Sequence, residues 1–340
     1  KCPPWKITSG KIHHDKIKKQ INYKNAWLEI YDFPIIYFPK FFHPDPSVKR
    51  QSGLLKPELG SSNNLGSSIY MPYFLAISDV KDLTIKPRLY DDNKFLLQNE
   101  YRQKTQNSLT IADFSFLKGH DSNPQDKGDT RSHLFTNTLV DLSLDSFEES
   151  MLKINYQKVS NDNYLKLFNL QSPLLLNDNS VLESTIEIDL NHETYDFTSS
   201  IQMYETLSGT NSDRYQYVLP NFDFSKNFNL KNIDGSFNFN SSGNNTLRDT
   251  NITTSSISND LDYSSVNAFF DNGIKTNFNF FLKNINSMGK NNPTYKNSPQ
   301  SELMSAYSYN ASLPLIKKNS KTSNTLEPKL SLRFSPHEMK

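Results

Sequence analysis

The stretch that decides the fold is LESTIEIDL, residues 182–190. Leucine or isoleucine stands at positions 182, 186, 188 and 190 with Ser184 among them, whereas glutamate, threonine and aspartate occupy the positions between. Because successive side chains of a β-strand point to opposite faces of a sheet, this alternation predicts a strand with one apolar and one polar face. The same alternation recurs in residues 152–157, 274–283, 307–315 and 330–334. Helical periodicity is nearly absent, so the sequence predicts an all-β, antiparallel fold.

Stretches rich in Asn, Asp, Gly, Ser and Pro separate these segments and predict loops between antiparallel strands. They include residues 119–128, 241–245 and 290–293. Several strand segments reach about nine or ten residues, the length that a tilted strand needs to cross a hydrocarbon core. The charged or amide-rich second face favours an outer-membrane barrel, in which that face lines a wet lumen. A soluble β-sandwich, in which the apolar faces of two sheets pack together, stays open as an alternative.

Composition excludes several classes of protein. Lys and Arg number 37 against 36 Asp and Glu, so the chain lacks the basic surface of a nucleic-acid-binding protein. Hydrophobic residues make up only 35% of the chain, but aromatic residues reach 12%, which argues against disorder. No apolar run comes near the length of a transmembrane helix, roughly 20 residues, so a membrane protein of this sequence must be a barrel.

Catalytic and metal-binding motifs are missing from the sequence. It contains neither G-x-S-x-G, nor H-E-x-x-H, nor a phosphate-binding loop. His13, His14 and Asp15 are adjacent strand residues that point to opposite faces, so they do not predict a metal site. The acidic stretch 119–129 lacks the ligand spacing of a calcium loop and is interpreted as a solvated loop. We therefore predict that the protein is not an enzyme and has no metal or cofactor.

Two regions of different character divide the chain. Residues 1–40 hold short, closely spaced apolar segments, which predict the end of a separate, compact β domain. Pro39, Pro44 and Pro46 follow, and because three prolines so close together do not fit a central strand, we expect a domain boundary there. Residues 41–340 are predicted to form a tilted antiparallel arc of about twelve strands. Since the chain begins at Lys1 rather than Met, we expect an internal fragment whose barrel is incomplete.

The most specific stretch is residues 34–102, PIIYFPKFFHPDPSVKRQSGLLKPELGSSNNLGSSIYMPYFLAISDVKDLTIKPRLYDDNKFLLQNEYR. It resembles the start of the barrel in the LptD family, the LPS-assembly or organic-solvent-tolerance proteins. The features that carry the resemblance are HPDP at 43–46, KR at 49–50, SG at 52–53, Pro57, Gly60, YF at 73–74, DLTIKPR at 82–88 and EYR at 100–102. Upstream, WKI at 5–7 and NA at 25–26 resemble the last strands of that family's periplasmic β-jellyroll. Beyond residue 102 the resemblance rests mainly on the strand pattern.

The resemblance implies a function and a location. It implies lipopolysaccharide transport and assembly at the cell outer membrane, by a translocon that inserts lipopolysaccharide into the outer leaflet, with the N-terminal segment in the periplasm. The implied partners are lipopolysaccharide, outer-membrane lipids, an LptE-like plug lipoprotein and a periplasmic LptA-like jellyroll bridge. Another large outer-membrane porin or receptor, and a soluble β-sandwich binding module, stay open as alternatives.

Three sets of residues are candidates for this function. Lipopolysaccharide has acyl chains that need an apolar path, and we expect six residues of the jellyroll segment to line it: Trp5, Ile7, Ile21, Tyr23, Leu28 and Ile30. Pro44, Pro46 and Pro57 are predicted to form a lateral gate or hinge, because proline has no N–H to donate to a strand ladder. Cys2 is the single cysteine. On its own it fits an idle thiol equally well, whereas the resemblance implies a disulfide to a cysteine near the far C-terminal end of the barrel.

Overall fold

The computed structural model describes residues 5–48, 50–62, 65–91, 94–118, 131–175, 180–208, 214–228 and 234–336. Antiparallel β-strands make up nearly all of the regular structure in these ranges, and α1, Tyr164–Leu167, is a helix of 4 residues. The predicted all-β, antiparallel class is therefore confirmed. Within the described ranges, no helix has the length and apolar character needed to cross a membrane.

A three-stranded antiparallel sheet opens the chain. It consists of β1 (Trp5–Asp15), β2 (Gln20–Ile30) and β3 (Phe33–Pro44), in that order. These strands have 11, 11 and 12 residues and are longer than the short strands expected from the sequence. β3 stays paired with β2 as far as Pro44, opposite Gln20, so the sheet extends past residue 40.

The remaining strands follow one another along the chain, and most neighbours pair antiparallel. They are β4 (Gly53–Leu54), β5 (Glu58–Ser62), β6 (Gly66–Tyr70), β7 (Tyr73–Ser78), β8 (Lys81–Tyr90), β9 (Phe95–Lys104), β10 (Ser108–Lys118), β11 (Arg131–Asp141), β12 (Glu149–Val159), β13 (Val181–His192), β14 (Tyr195–Thr206), β15 (Tyr215–Phe228), β16 (Gly235–Arg248), β17 (Ile252–Ser265), β18 (Ala268–Phe269), β19 (Lys275–Lys290), β20 (Gln300–Ser312), β21 (Leu315–Lys318), β22 (Ser323–Leu326) and β23 (Lys329–Phe334). Among the described residues these are twenty strands, more than the twelve or so expected. Twelve of them, β8 to β17, β19 and β20, have 10 to 16 residues each, at or above the expected nine or ten.

The chain divides into two compact units. The first comprises Lys1–Thr138 and Tyr156–Asn179, and the second comprises Leu139–Asn155 and Ser180–Lys340. In the first unit, β4 pairs with β7 and β5 with β6, so residues 53–62 run antiparallel to residues 66–78 as two interrupted strands. β8 then pairs with β6, β7 and β9, and β9 pairs with β10.

The sheet of the second unit has one apolar face that is exposed. Ile186 and Ile201 lie opposite each other on β13 and β14 and are 52% and 50% exposed. Aromatic rings follow one another across the strands of this face, with centroids 4.5 to 6.2 Å apart in the pairs Tyr195–Phe224, Phe224–Phe239, Phe237–Tyr263 and Phe280–Tyr307. An extended apolar surface with a row of aromatic residues is typical of a strand wall that faces lipid.

The opposite face of the same sheet is polar and internally paired. Lys153 on β12 lies 2.8 Å from Glu187 and 3.3 Å from Asp189, both on β13. Farther along the sheet, Lys283 on β19 lies 3.0 Å from Asp260 on β17. Because opposite charges stand directly across from each other on neighbouring strands, each supports the strand register.

The predicted loop at residues 241–245 is wrong, since these residues lie inside β16. Their polar side chains bond across strands: Ser241 donates to Asn259 at 2.8 Å, and Ser255 donates to Asn245 at 2.9 Å. Gly243 leaves room for the ring of Phe222 on β15, because an added Cβ would lie 2.5 Å from its Cε1 atom. The turn-like composition thus reflects cross-strand bonding and close packing of a ring on glycine, not a change of direction.

Candidate functional site

The six residues predicted to line an apolar path share one face of the N-terminal sheet. Trp5 stands opposite Ile30 and Ile7 opposite Leu28, while Ile21 and Tyr23 lie farther along β2 beside His43 and Phe41. Leu28 and Ile30 are buried and the other four are half-buried. The sheet therefore presents a continuous apolar surface, which we call the acyl face.

Asn25 makes this alignment possible. Its φ of 53° interrupts the strand alternation between Tyr23 and Ala26. On the neighbouring strand, the rings of Phe38 and Phe41, which pair with Ala26 and Tyr23, lie 5.4 Å apart although they are three residues apart in sequence. The side chains on both sides of Asn25 are thereby brought to the same face.

Replacing Asn25 with valine is expected to destabilise the sheet by about 1–2 kcal/mol, because a β-branched residue is strained at positive φ. Asn25→Gly is the control, since glycine accepts this backbone and loses only the exposed hydrogen bond from Tyr37 (2.8 Å). Trp5 and Trp27, the 2 tryptophans of the chain, both lie in this sheet, so tryptophan fluorescence during urea unfolding measures the effect. Equal stability of the two variants would contradict the role given to Asn25.

Pro44 and Pro46 lie at the exit from the sheet. Pro44 is the last residue of β3, and Pro46 lies in a turn that follows. We call the described residues between β3 and β4, 45–48 and 50–52, the junction. Pro44 also contacts the far end of the junction, since a Cβ added to Gly53 would lie 3.2 Å from its Cδ atom.

Pro57 lies between β4 and β5, where the strand is interrupted, and it is buried. The neighbouring strand is interrupted at the same level by Pro72, whose carbonyl accepts a hydrogen bond from the Leu55 N–H at 2.8 Å. On the third strand, the Pro87 carbonyl accepts from the Met71 N–H at 3.2 Å. Three consecutive strands thus each carry a proline at one level, and we call Pro57, Pro72 and Pro87 the proline row.

The junction is tied to both sides by polar contacts. On the sheet side, Nε2 of His14 lies 2.8 Å from an Asp45 oxygen, and the Asp45 N–H donates to the Lys19 carbonyl at 2.9 Å. Hydrogen bonds from Ser47 hold the pKa of Asp45 below its usual value, so its charge is present at neutral pH. Asp45 therefore stays a good partner for His14.

On the side of the strands, the junction is held by a charged cluster. Arg50 lies 2.6 Å from an oxygen of Asp82, and it donates to the Asp79 carbonyl at 2.5 Å. The other Asp82 oxygen accepts from Nε of Arg102 at 2.8 Å, and Arg102 lies 3.7 Å from Glu100. The buried carboxylate of Asp82 thus joins residues from three separate motifs of the sequence, KR at 49–50, DLTIKPR at 82–88 and EYR at 100–102.

Residues 161–175, which we call the covering segment, pack against the polar face of β9, β10 and β11 in the first unit. Tyr164 and Leu165 of α1 are 0% and 1% exposed, and Phe168 is 2% exposed. The Phe168 ring meets the Tyr90 ring edge-on at 5.8 Å. Gln98 of β9 donates to the Gln171 carbonyl at 2.8 Å, which fixes the far end of the segment.

Beneath this segment lies a buried polar cluster of Asp113, Ser115, His133 and Tyr164. The Ser115 hydroxyl lies 2.7 Å from Nδ1 of His133 and 2.7 Å from the Tyr164 hydroxyl. Nε2 of His133 lies 3.2 Å from Asp113, and both side chains are 0% exposed. Burial raises the pKa of Tyr164 to about 12, so its phenol stays protonated and remains a donor. The cluster anchors the covering segment to the strands by bonds that water does not reach.

A polar cavity of about 250 Å³ adjoins the proline row and the covering segment. Lys86 and Arg88 of β8 line it, together with Tyr70 and Gln98. Lys86 is neutralised by Glu100 at 2.7 Å, whereas the Arg88 guanidinium stacks on the Tyr70 ring at 4.9 Å from the centroid. The polar side of these strands therefore includes water-sized space next to the interrupted strands.

Comparison with known proteins decides the family. The family model described as "LPS transport system D" matches residues 131–340. The chain belongs to the LptD family. Two LPS-assembly proteins LptD are each 29% identical over 231 residues: that of Pseudoalteromonas translucida (66% of this chain and 28% of that protein) and that of Legionella pneumophila strain Paris (62% and 26%). A third, from Hahella chejuensis, is 27% identical over 235 residues, or 66% of this chain and 28% of that protein.

The chain spans 26–28% of the length of these LptD proteins. The match to the family model falls on the long strands from β11 onward, not on residues 34–102, whose motifs carried the resemblance. LptD membership is thus supported independently by a part of the chain for which the sequence offered only a strand pattern.

Two of the sequence candidates fall outside the part of the chain that the structure describes, and one buried cluster was not predicted from the sequence. Cys2 and the stretch 119–129 lie outside the described residues. The polar cluster was missed by sequence analysis, because its four members are scattered between residues 113 and 164. One signal was available: Asp113 and Ser115 alternate with Phe114 and Phe116, so their strand places a polar pair on the face opposite to two exposed aromatic rings.

Proposed function

We propose that this protein forms part of the channel that carries lipopolysaccharide to the cell outer membrane and inserts it into the outer leaflet. The observation that carries the proposal is the two-faced sheet of an LptD-family chain, apolar and aromatic on its exposed face and charged on the other. Lipid chains in the membrane fit the first face, and a hydrated sugar headgroup fits the second. The N-terminal sheet would lie in the periplasm and the long strands in the outer membrane.

The acyl face supports the first step of transport. Acyl chains taken out of water need a continuous apolar surface, and burying each CH₂ group contributes about 0.8 kcal/mol. Half-buried Trp5 and Ile7 offer such a surface at one end of the sheet, over the buried Leu28, and Ile21 and Tyr23 extend it toward the junction. A periplasmic LptA-like jellyroll bridge is the partner that would deliver lipopolysaccharide to this face.

The proline row supports the last step, the sideways exit into the membrane. Proline has no N–H, so a strand that contains it lacks ladder bonds at that position and separates from its neighbour at lower cost. Pro57 would serve the gate, and Pro44 and Pro46, at the exit from the sheet, would shape the hinge. An LptE-like plug lipoprotein would fill the wet side of the assembled channel.

Cys2 is proposed to form a disulfide with a C-terminal cysteine of the full-length protein, because the periplasm permits disulfides. In the chain-entropy model, closing a long loop contributes up to about 5 kcal/mol. We expect Cys2→Ser to change the mobility of full-length protein on non-reducing gels and to impair assembly. Unchanged mobility would mean that the thiol is idle.

The proposed function is tested by depleting the full-length protein in its own cells while lipopolysaccharide at the surface is labelled. Surface labelling of newly made lipopolysaccharide should fall while its synthesis continues, and expression of the intact gene should restore it. A porin or receptor would give a different result, with labelling maintained and uptake of a solute lost.

A further inference from the structure

The length of the junction alone would allow the N-terminal sheet to take many orientations relative to the strands that follow. Eight residues span up to roughly 26 Å when extended, so a free linker of this length would permit many orientations. The junction does not leave the sheet free in this way, because residues at both of its ends contact the sheet. Gln51 donates to Gln20 at 3.4 Å, and Gly53 packs against Pro44.

The junction is also bonded to the strands that follow it, so it is held on both sides. The Ser52 hydroxyl accepts from the Ala76 N–H of β7 at 2.9 Å, and Arg50 bonds to Asp79 and Asp82 at the start of β8. Asp82 has a side chain that is 10% exposed, so its charge is only partly solvated and needs cationic partners. Arg50 supplies one partner from the junction, and Arg102 supplies the other from β9.

We propose that Arg50 and Asp82 are positioning residues, which fix the angle between the N-terminal sheet and the strands that carry the proline row. This inference rests on the proposed function, because the fixed angle directs the acyl face toward Pro57. With the hinge at Pro44 and Pro46 held at one angle by this tie, acyl chains leave the sheet at a constant place.

The sharing of Asp82 by two arginines supplies a matched pair of variants. Arg50→Gln removes the tie to the junction but leaves Asp82 paired with Arg102, so the strands should still fold. Arg102→Gln removes the other partner of Asp82 and leaves the junction tied. Both variants lose one positive charge next to the same carboxylate, and only the first frees the junction. Arg50→Lys keeps the positive charge but lacks the planar guanidinium group, so it should hold the junction better than Arg50→Gln and less well than arginine.

The angle is measured by pulsed electron paramagnetic resonance on the full-length protein in lipid, with spin labels at the exposed positions Lys11 and Lys104. The labels are attached to a ketone-bearing amino acid, which leaves Cys2 untouched. We expect one narrow distance distribution for the unmodified protein and for Arg102→Gln, and a clearly broader one for Arg50→Gln. An equally narrow distribution for Arg50→Gln would overturn the proposal.

Export is measured by surface labelling of lipopolysaccharide in cells that hold equal amounts of each variant. Heat-modifiable mobility on gels confirms that each variant is folded. Export should fall several-fold with Arg50→Gln and stay near normal with Arg102→Gln. A broader distribution with normal export would also overturn the proposal, because the angle would then not matter for transfer. If the unmodified protein exports no lipopolysaccharide, the proposed function fails, whereas the distance distributions still decide whether Arg50 holds the sheet.

Discussion

Replacing His133 with leucine is expected to destabilise the folded protein by about 3–5 kcal/mol, the cost of breaking a fully buried ionisable pair by removing one partner. His133 and Asp113 are both 0% exposed, so the remaining carboxylate would have no access to water. Gln98 would still donate to it at 3.0 Å, and Ser172 would still bond to it, but two neutral donors compensate only part of the charge. Ser115 would also lose its partner at Nδ1.

The double variant Asp113→Leu/His133→Leu is the control. Because it removes both polar groups and keeps apolar volume, it should be more stable than His133→Leu alone. Stability is measured by guanidinium unfolding of protein refolded in lipid vesicles. Hydrogen exchange should also show faster exchange in the covering segment for the single variant than for the unmodified protein. A cost below about 1 kcal/mol, the value of an exposed pair, would contradict the burial of this cluster.

Tightening the proline row is expected to slow lipopolysaccharide export while leaving the protein folded. Pro57→Ala and Pro72→Ala each return an N–H to one of the two interrupted strands, and each ladder bond contributes about 0.5–1.5 kcal/mol. The double variant should therefore stabilise these strands by about 1–3 kcal/mol if both bonds form. Since opening depends exponentially on this energy, export should fall by about fivefold to 150-fold.

Pro44→Ala and Pro46→Ala separate the proposed hinge from the gate, because these prolines lie at the exit from the sheet and outside the interrupted strands. They should affect export less than Pro57→Ala does. Export is followed by surface labelling at equal protein levels, and folding is followed by heat-modifiable mobility on gels. An unchanged export rate in Pro57→Ala/Pro72→Ala would rule out a gate at the proline row.

Much of the fold could be predicted from the sequence, because alternation depends only on neighbouring residues. The segment at 182–190 lies in β13 and has the expected apolar and polar faces. The loop predicted at 241–245 was wrong for a related reason. Serine, asparagine and glycine favour turns when isolated, but here Ser241 and Asn245 are satisfied by partners on β17 that are distant in sequence.

The candidate site was less predictable, because it depends on contacts between distant residues. Pro57 was recognised from its missing N–H, whereas Pro72 and Pro87 acquire meaning only when the strand register places them at one level. Six apolar residues of the sheet were recognised by type. Their common face nevertheless depends on the positive φ of Asn25, which the alternation does not reveal. Arg50, Asp82 and Arg102 belonged to separate motifs until the structure joined them.

Photocrosslinking in living cells tests most directly whether the acyl face carries lipopolysaccharide toward the strands. Phe41 lies on the acyl face beside Tyr23, with rings 5.6 Å apart, and its neighbour Lys40 points to the opposite, exposed side. A benzoylphenylalanine placed at either position of the full-length protein would react with whatever lies against it. We expect a crosslink to lipopolysaccharide at position 41 and none at position 40. Crosslinking at neither position, or equally at both, would contradict an acyl path on this face.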